Sequence, residues 1–222
     1  MTTIAIVSQK GGSGKSTLAI HLAAAAHAAG RVTCLIDTDP QATAATWGDW
    51  RGNTEPEVIT APPARLARTV EDATKLGAEI IILDTPPHAE AAAREAVKLA
   101  DLVLVPCRPR AFDLHAVETT AGLTAFAGTK AFVVFNAGPP RAPALFAEAS
   151  AVVERMGLAV APVMLADRAA FHHSTAQGKT ALETEPNGKA AEEIRSLWSW
   201  VCNHVIMKSQ NHDSTEENGA AA

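Results

Sequence analysis

Apolar residues along the chain come as short, nearly unbroken runs separated by longer stretches with helical spacing. The clearest runs cover residues 3–8, 32–36, 80–83, 102–105 and 131–135, and each is aliphatic or β-branched almost throughout. Runs with no polar alternate position are what strands covered on both faces require. Weaker runs lie at 58–60 and 160–165. The intervening segments predict helices at 14–29, 63–76, 88–99, 113–126 and 143–156, with a long final one over 188–207. Strands alternating with helices predict an α/β, doubly wound fold: a mostly parallel sheet with helices on both faces. No internal repeat and no Pro-, Gly- or Ser-rich linker divides the pattern. Residues 1–208 are therefore expected to form one domain, and the polar, then alanine-rich residues 209–222 a disordered tail.

Composition narrows the class. The 222 residues are 47% hydrophobic and only 5% aromatic, with abundant alanine that lets helices lie close to a sheet. A net charge of -5 argues against a surface coated in basic residues and leaves room for a local basic patch. Cys34, Cys107 and Cys202 are far apart and form no C-x-x-C pair, so they read as reduced thiols of a cytosolic protein. No stretch approaches the roughly 20 apolar residues that span a bilayer, and no basic segment precedes the first strand as in a signal peptide. A cytoplasmic location is expected.

The first run leads into Ser8-Gln9-Lys10-Gly11-Gly12-Ser13-Gly14-Lys15-Ser16-Thr17. Glycines let successive backbone N–H groups point into one concavity, and the helix that follows adds the positive end of its dipole. A strand before, a helix after and the ending Gly14-Lys15-Ser16 make this a phosphate-binding loop. Lys15 is placed to reach the β- and γ-phosphates of ATP, and Ser16 to bind Mg²⁺ through its hydroxyl. Gln9 stands where the usual loop has its first glycine. The run at 80–83 ends in Asp84-Thr85-Pro86-Pro87, four aliphatics delivering an acid that would stand behind the magnesium's own ligands. The run at 32–36 ends in Asp37-Thr38-Asp39-Pro40-Gln41. Carboxylates there can orient a water or hold Mg²⁺ through its waters, or instead cap the next helix.

Lys10-Gly11-Gly12-Ser13-Gly14-Lys15-Ser16-Thr17 is similar to the signature of the ParA/MinD ATPases, in which the first lysine is the deviant element of the loop. Asp37 to Gln41 resembles that family's switch I block and Thr85-Pro86-Pro87 its switch II turn. The resemblance extends over about residues 1–207 and is strongest in the first 90. It implies that residues 11–17 bind ATP and that Lys10 reaches the partner's nucleotide in an ATP-sandwiched homodimer. It also implies that Asp39 positions the attacking water and that Asp37 and Asp84 support the metal. Asn136, at the end of a strand, would lie against the adenine in this family; otherwise it is a turn residue beside Gly138 and Pro139. Relatives often have serine near Arg108 or Arg110, so Arg108-Pro109-Arg110 departs from the pattern and reads as a solvated loop or a contact to partner or DNA.

The resemblance implies a slow ATPase that partitions a plasmid or chromosome, or positions a large protein cargo. Its ATP-bound dimer would bind DNA without sequence preference and hence be nucleoid-associated. A centromere-binding or cargo adaptor protein would stimulate hydrolysis. Arg141, Arg168, Lys179, Lys189, Arg195 and Lys208 are candidate phosphate contacts, although they form no dense cluster. A MinD-like membrane-docked ATPase is the competing reading. The stripe Ile194, Leu197, Trp198, Val201 and Val205 is apolar, but Glu192 and Glu193 beside it favour packing onto the sheet over membrane insertion. Trp200 lies off the stripe. Absence of paired cysteines argues against an iron–sulfur carrier, and a chain without tyrosine closes the reading of an autophosphorylating tyrosine kinase. Lys10 and the switch I block argue against a dethiobiotin-synthetase-like ligase. A nucleotide-binding interaction module with little hydrolysis stays open and is separable by a turnover assay.

Overall fold

The computed structural model describes residues 1–52 and 54–206. Eight strands, β1 (Thr2–Ile6), β2 (Thr33–Asp37), β3 (Glu57–Thr60), β4 (Ile80–Asp84), β5 (Leu102–Cys107), β6 (Ala131–Gly138), β7 (Ala159–Val160) and β8 (Leu165–Ala166), form a sheet of order β3-β2-β4-β1-β5-β6-β7, with β8 also on β6. Every pairing is parallel. The helices are α1 (Lys15–Ala28), α2 (Thr43–Arg51), α3 (Leu66–Lys75), α4 (Glu90–Leu99), α5 (Ala111–His115), α6 (Val117–Ala127), α7 (Pro143–Arg155), α8 (Ala169–Thr175), α9 (Ala181–Thr184) and α10 (Lys189–Val201).

The unbroken aliphatic runs follow from burial on both faces. Successive side chains point to opposite sides of a strand. Ile4, Ile6, Ile80, Ile82, Leu102 and Leu104 pack with α1, α2, α8, α9 and α10. Their neighbours Ala5, Val7, Ile81, Leu83, Val103 and Val105 pack with α3, α4, α6 and α7. Strand β1 is central, between β4 and β5, and connections leave it toward both edges of the sheet. The crevice beyond the carboxyl ends of such strands is where doubly wound folds bind ligands.

Several expected elements change at their ends or break. The helix expected at 113–126 is two, α5 and α6, meeting at Ala116. The strand expected at 160–165 splits into β7 and β8, because Pro162 between them has no N–H to give to the ladder. Helices α2, α8 and α9 carry too few periodic apolar positions to stand out in the sequence. In α2 only Ala44 and Trp47 are buried. It is held from outside instead: Trp47 Nε1 donates to Lys179 O at 3.1 Å, and Arg51 donates to Gly178 O at 3.1 Å and pairs with Glu183 at 2.9 Å. Gly178 has φ 66, and a Cβ there would press on the Trp50–Arg51 backbone at 2.6 Å, so this close approach needs glycine.

Ile194, Leu197, Trp198 and Val201 of α10 are buried against the α1 side of the sheet, and Trp200 meets Phe132 edge-on at 4.8 Å. The apolar stripe is thus used inside the fold. A π-helical turn, Cys202–Ile206, follows α10. The last residue of the expected final helix, candidate contact Lys208 and the expected tail at 209–222 lie outside the described residues. Among the described residues no helix is long and apolar enough to cross a membrane. Burial pushes the thiols of Cys34 and Cys107 up to about 12, which keeps them protonated and inert.

Candidate functional site

Strand β1 feeds the glycine loop, and Gly14 caps α1 in the left-handed region with φ 92. A Cβ at Gly14 would collide with the Asn136 amide, which donates from Nδ2 to Ser13 O at 2.5 Å. Asn136 therefore ties β6 to the loop across 123 residues of sequence. Its expected place against a base is taken up in part by this tie, and its Oδ1 is left buried with no partner. Lys15, the first residue of α1, is buried and donates from Nζ to Lys10 O at 3.2 Å. Desolvation lowers its pKa, with Asp84 and Asp39 opposing. A buried ammonium with one carbonyl partner is short of anion.

Asp84 ends β4, in register with Asp37 on β2 and Ile6 on β1. It is fully buried, and neither carboxylate oxygen has a hydrogen-bond partner. Burial, reinforced by Asp37 and Asp39, pushes its pKa up to about 7, while the nearby Ser16 hydroxyl and Lys15 pull against the rise. Thr38 and Thr85 fix the strand ends: their hydroxyls donate to Asp84 O and Ile6 O, both at 2.8 Å. Asp37 spends its oxygens on backbone, accepting from Asp39 N at 2.9 Å and from Ala45 N in the first turn of α2 at 3.0 Å. The capping alternative thus describes Asp37 as it stands. Asp39 is half-exposed at the mouth of the site and accepts from Gln41 N at 2.9 Å.

Lys10 crosses the loop to Asp113, Nζ to Oδ2 at 3.0 Å. Arg108, expected in a solvated loop, instead turns inward: its Nη2 lies 3.9 Å from where a Gly12 Cβ would be, and its Nε is buried without a partner. Arg110 is exposed, as a solvated loop residue would be. Gly12, Ser13, Gly14, Thr17, Arg108 and Asn136 share the wall of a cavity of about 250 Å³, whose far side is Phe171, His172 and Ile194.

Among the described residues, buried side-chain polar atoms without a partner are Ser13 Oγ, both Asp84 oxygens, Arg108 Nε, Asn136 Oδ1 and Thr120 Oγ1. All but the last surround the glycine loop. Native interiors satisfy their polar groups, so such a concentration marks a place for a polar ligand. Among them are a hydroxyl, a free carboxylate and a guanidinium, and the buried Lys15 ammonium stands beside them, which suits a phosphate chain with a divalent cation. No set of three His, Cys, Asp or Glu among the described residues could cage a metal unaided. A cation there would take further ligands from the phosphates and water, as Mg²⁺ does. Ala42, His88 and Ala137, which follow or end β2, β4 and β6, all have positive φ. The strain sits around the site.

Of the surface candidates, Arg141, Arg168 and Lys189 line one hollow together with Glu192 and Glu193, and Lys179 and Arg195 are not part of it. Arg168 is committed to Glu193 at 2.6 Å, Arg195 donates to Pro186 O, and Lys189 approaches Glu192. Arg141 and Lys179 are exposed on separate loops. Asp113 and the inward turn of Arg108 escape a reading of the sequence, because their partners lie on the glycine loop about 100 residues earlier; only the unusual arginine itself was a signal.

Residues 4–181 match the family described as the CobQ/CobB/MinD/ParA nucleotide binding domain. The Maintenance of carboxysome distribution protein A of Gloeobacter kilaueensis is 31% identical over 205 residues, covering 91% of this chain and 93% of its own. The protein of that name from Halothiobacillus neapolitanus is 27% identical over 211 residues, with 90% and 95% covered. The septum site-determining protein MinD of Pyrococcus horikoshii, complexed with Mg-ADP, has the same fold: its TM-score is 0.71 over 90% of this chain and 95% of that one, at 18% identity. With the loop, the acid at the end of β4 and the family match over most of its length, this chain belongs to the CobQ/CobB/MinD/ParA nucleotide-binding family.

Proposed function

We propose that the chain is an ATP-hydrolysing, dimerising switch that positions a large cargo inside the cell. The observation that carries this reading is the ring of unsatisfied polar groups around a glycine loop that also bears Lys10. The names of the two carboxysome-distribution relatives favour a protein assembly as cargo, with partition of DNA as the neighbouring possibility.

In this reading the backbone N–H groups of residues 11–17 and the Lys15 ammonium neutralise the phosphates of ATP. The unpartnered Asn136 Oδ1 is an acceptor available to the amino group of adenine. Ser16 would ligate Mg²⁺, with the free oxygens of Asp84 accepting hydrogen bonds from the waters around it, while Asp37, already bonded to backbone, would hold β2 and α2 in place beside them. Bound there, the ion would offset charge on the β- and γ-phosphates. Asp39, half-exposed at the mouth, accepts a hydrogen bond from the attacking water and orients it. Lys10, once released from Asp113, reaches the nucleotide of a second copy and offsets charge there in the transition state.

An adaptor protein would stimulate hydrolysis, and nonspecific DNA would serve as the surface over which the ATP dimer is distributed. Because the basic residues are few and partly paired with carboxylates, DNA binding would depend on two-fold pairing to bring weak patches onto one face. The decisive experiment uses Asp39→Ala, which should hold the ATP-bound dimer, with arbitrary duplex DNA across a salt series. Binding with ATP and not ADP, weakening steeply with salt, is the expected result. Dimerisation with ATP but no DNA binding would replace the DNA surface with a membrane or protein scaffold.

A further inference from the structure

We propose that Arg108 is a nucleotide-contacting residue whose guanidinium donates to the phosphate chain of ATP and ADP; this rests on the reading of the glycine loop as an ATP site. Arg108 follows β5 directly, and β5 is the neighbour of β1, so its side chain starts beside the strand that feeds the loop. The backbone there is fixed locally. Cys107 Sγ and Arg110 N both donate to Arg108 O, at 3.2 and 2.7 Å. Pro109 is buried, 3.2 Å from where a Cβ on Gly138 would stand. This course sends the guanidinium over the loop, with Nη2 at contact distance, 3.9 Å, from where a Cβ on Gly12 would stand.

A guanidinium is always charged and carries five donors in one plane. In folded proteins such a group, when partly buried, is held by a carboxylate or by carbonyls. Arg108 has neither among the described residues. The nearby Asp113 is engaged by Lys10, and Asp167, on the wall of the same cavity, makes no ion pair with it. The other arginine of that wall, Arg168, shows the usual solution, a doubled contact to Glu193. Arg108 therefore has a desolvated Nε, a free fork and a loop built for phosphate within a few ångströms of its tip. Lys15 approaches the same loop from the first turn of α1, through the Lys10 carbonyl. The two cations enter from different elements, α1 and the end of β5. Arginine matches phosphate as a planar, two-pronged donor, which a lysine at this position could not do.

The test measures affinity for a fluorescent ATP analogue, with competition by ATP, ADP and adenosine, on wild type, Lys15→Ala, Arg108→Ala, Arg108→Gln and Arg108→Lys. Loss of one or two charge-assisted hydrogen bonds should weaken ATP and ADP about ten- to a hundredfold in the alanine and glutamine variants. The lysine variant should recover only part of the loss, and adenosine should bind all of them alike. Melting temperatures without nucleotide show which variants are folded, and the glutamine variant stands in where alanine is not. Affinities for ATP and ADP equal to wild type, or an equal loss for adenosine, would overturn the assignment. Failure of the wild type itself to bind, or of Lys15→Ala to matter, would instead bring down the reading of the loop.

Discussion

The centre of the sheet and the loops at its carboxyl edge are built on opposite terms. In the centre, Ile4, Ile82, Leu83 and Val103 are wholly buried, alternate between two covered faces and leave nothing polar unpaired. At the edge, within a few residues of the same strands, lie Ser13, Asp84, Asn136 and Arg108 with buried unpartnered atoms, and Ala42, His88 and Ala137 with left-handed backbone. Each such group costs free energy in the absence of a partner. The centre supplies the stability that the edge gives up, and the edge holds donors and acceptors ready for a ligand. Truncation in the centre should therefore weaken the protein, whereas neutralisation at the edge should strengthen it and cost function.

The largest effect is expected from Lys15→Ala, which removes the main fixed partner of the phosphates: ATP affinity should fall at least about a hundredfold in a fluorescence titration, with folding preserved. In the centre, Ile82→Ala should lower the unfolding free energy by about 3 kcal/mol in a urea titration. A loss below about 1 kcal/mol would mean that the sheet interior is less tightly packed than its burial suggests. Asp84→Asn should act in the opposite sense. The Asp84 carboxyl holds its proton more tightly folded, at about 7 against an ordinary 3.8, so wild-type stability declines as pH rises from about 4 through 7. The asparagine variant should lack that decline and exceed the wild type by up to about 4 kcal/mol near pH 8 without nucleotide, while losing magnesium-dependent hydrolysis. A parallel pH profile in the two proteins would show that Asp84 carries no such cost. The smallest effect is expected at Ala42→Gly, where relief of the left-handed conformation should add about half a kcal/mol to the melting free energy.

The two regions were also unequally readable from sequence. Strand interiors are written in consecutive residues, as in Ile80-Ile81-Ile82-Leu83, and the glycine loop is a contiguous motif, so both stand out. Helix α2 did not, because its anchors, Lys179, Gly178 and Glu183, are about 130 residues away. The tie from Asn136 to Ser13 and the inward turn of Arg108 were hidden for the same reason: each depends on which strand is the neighbour of β1. Residue type alone placed Asp37 and Asp84 alike at strand ends. Only the backbone of α2, donating to one of them, distinguishes a carboxylate that is spent from one that is free.

The bridge from Lys10 to Asp113 has a further consequence for how such a switch answers to its own abundance. Lys10 has a single ammonium, and in the proposed mechanism two anions compete for it, one on its own chain and one on a neighbour's nucleotide. Pairing of two copies then proceeds by exchange of ionic partners, so the internal contact raises the protein concentration at which pairing sets in. In that mechanism a chain present at low level would stay single even when loaded with ATP, and pairing would set in only at higher local concentration. On that mechanism Asp113 would set a dosage threshold, the strength of its ion pair tuning how crowded a patch of the cell must be before two copies pair.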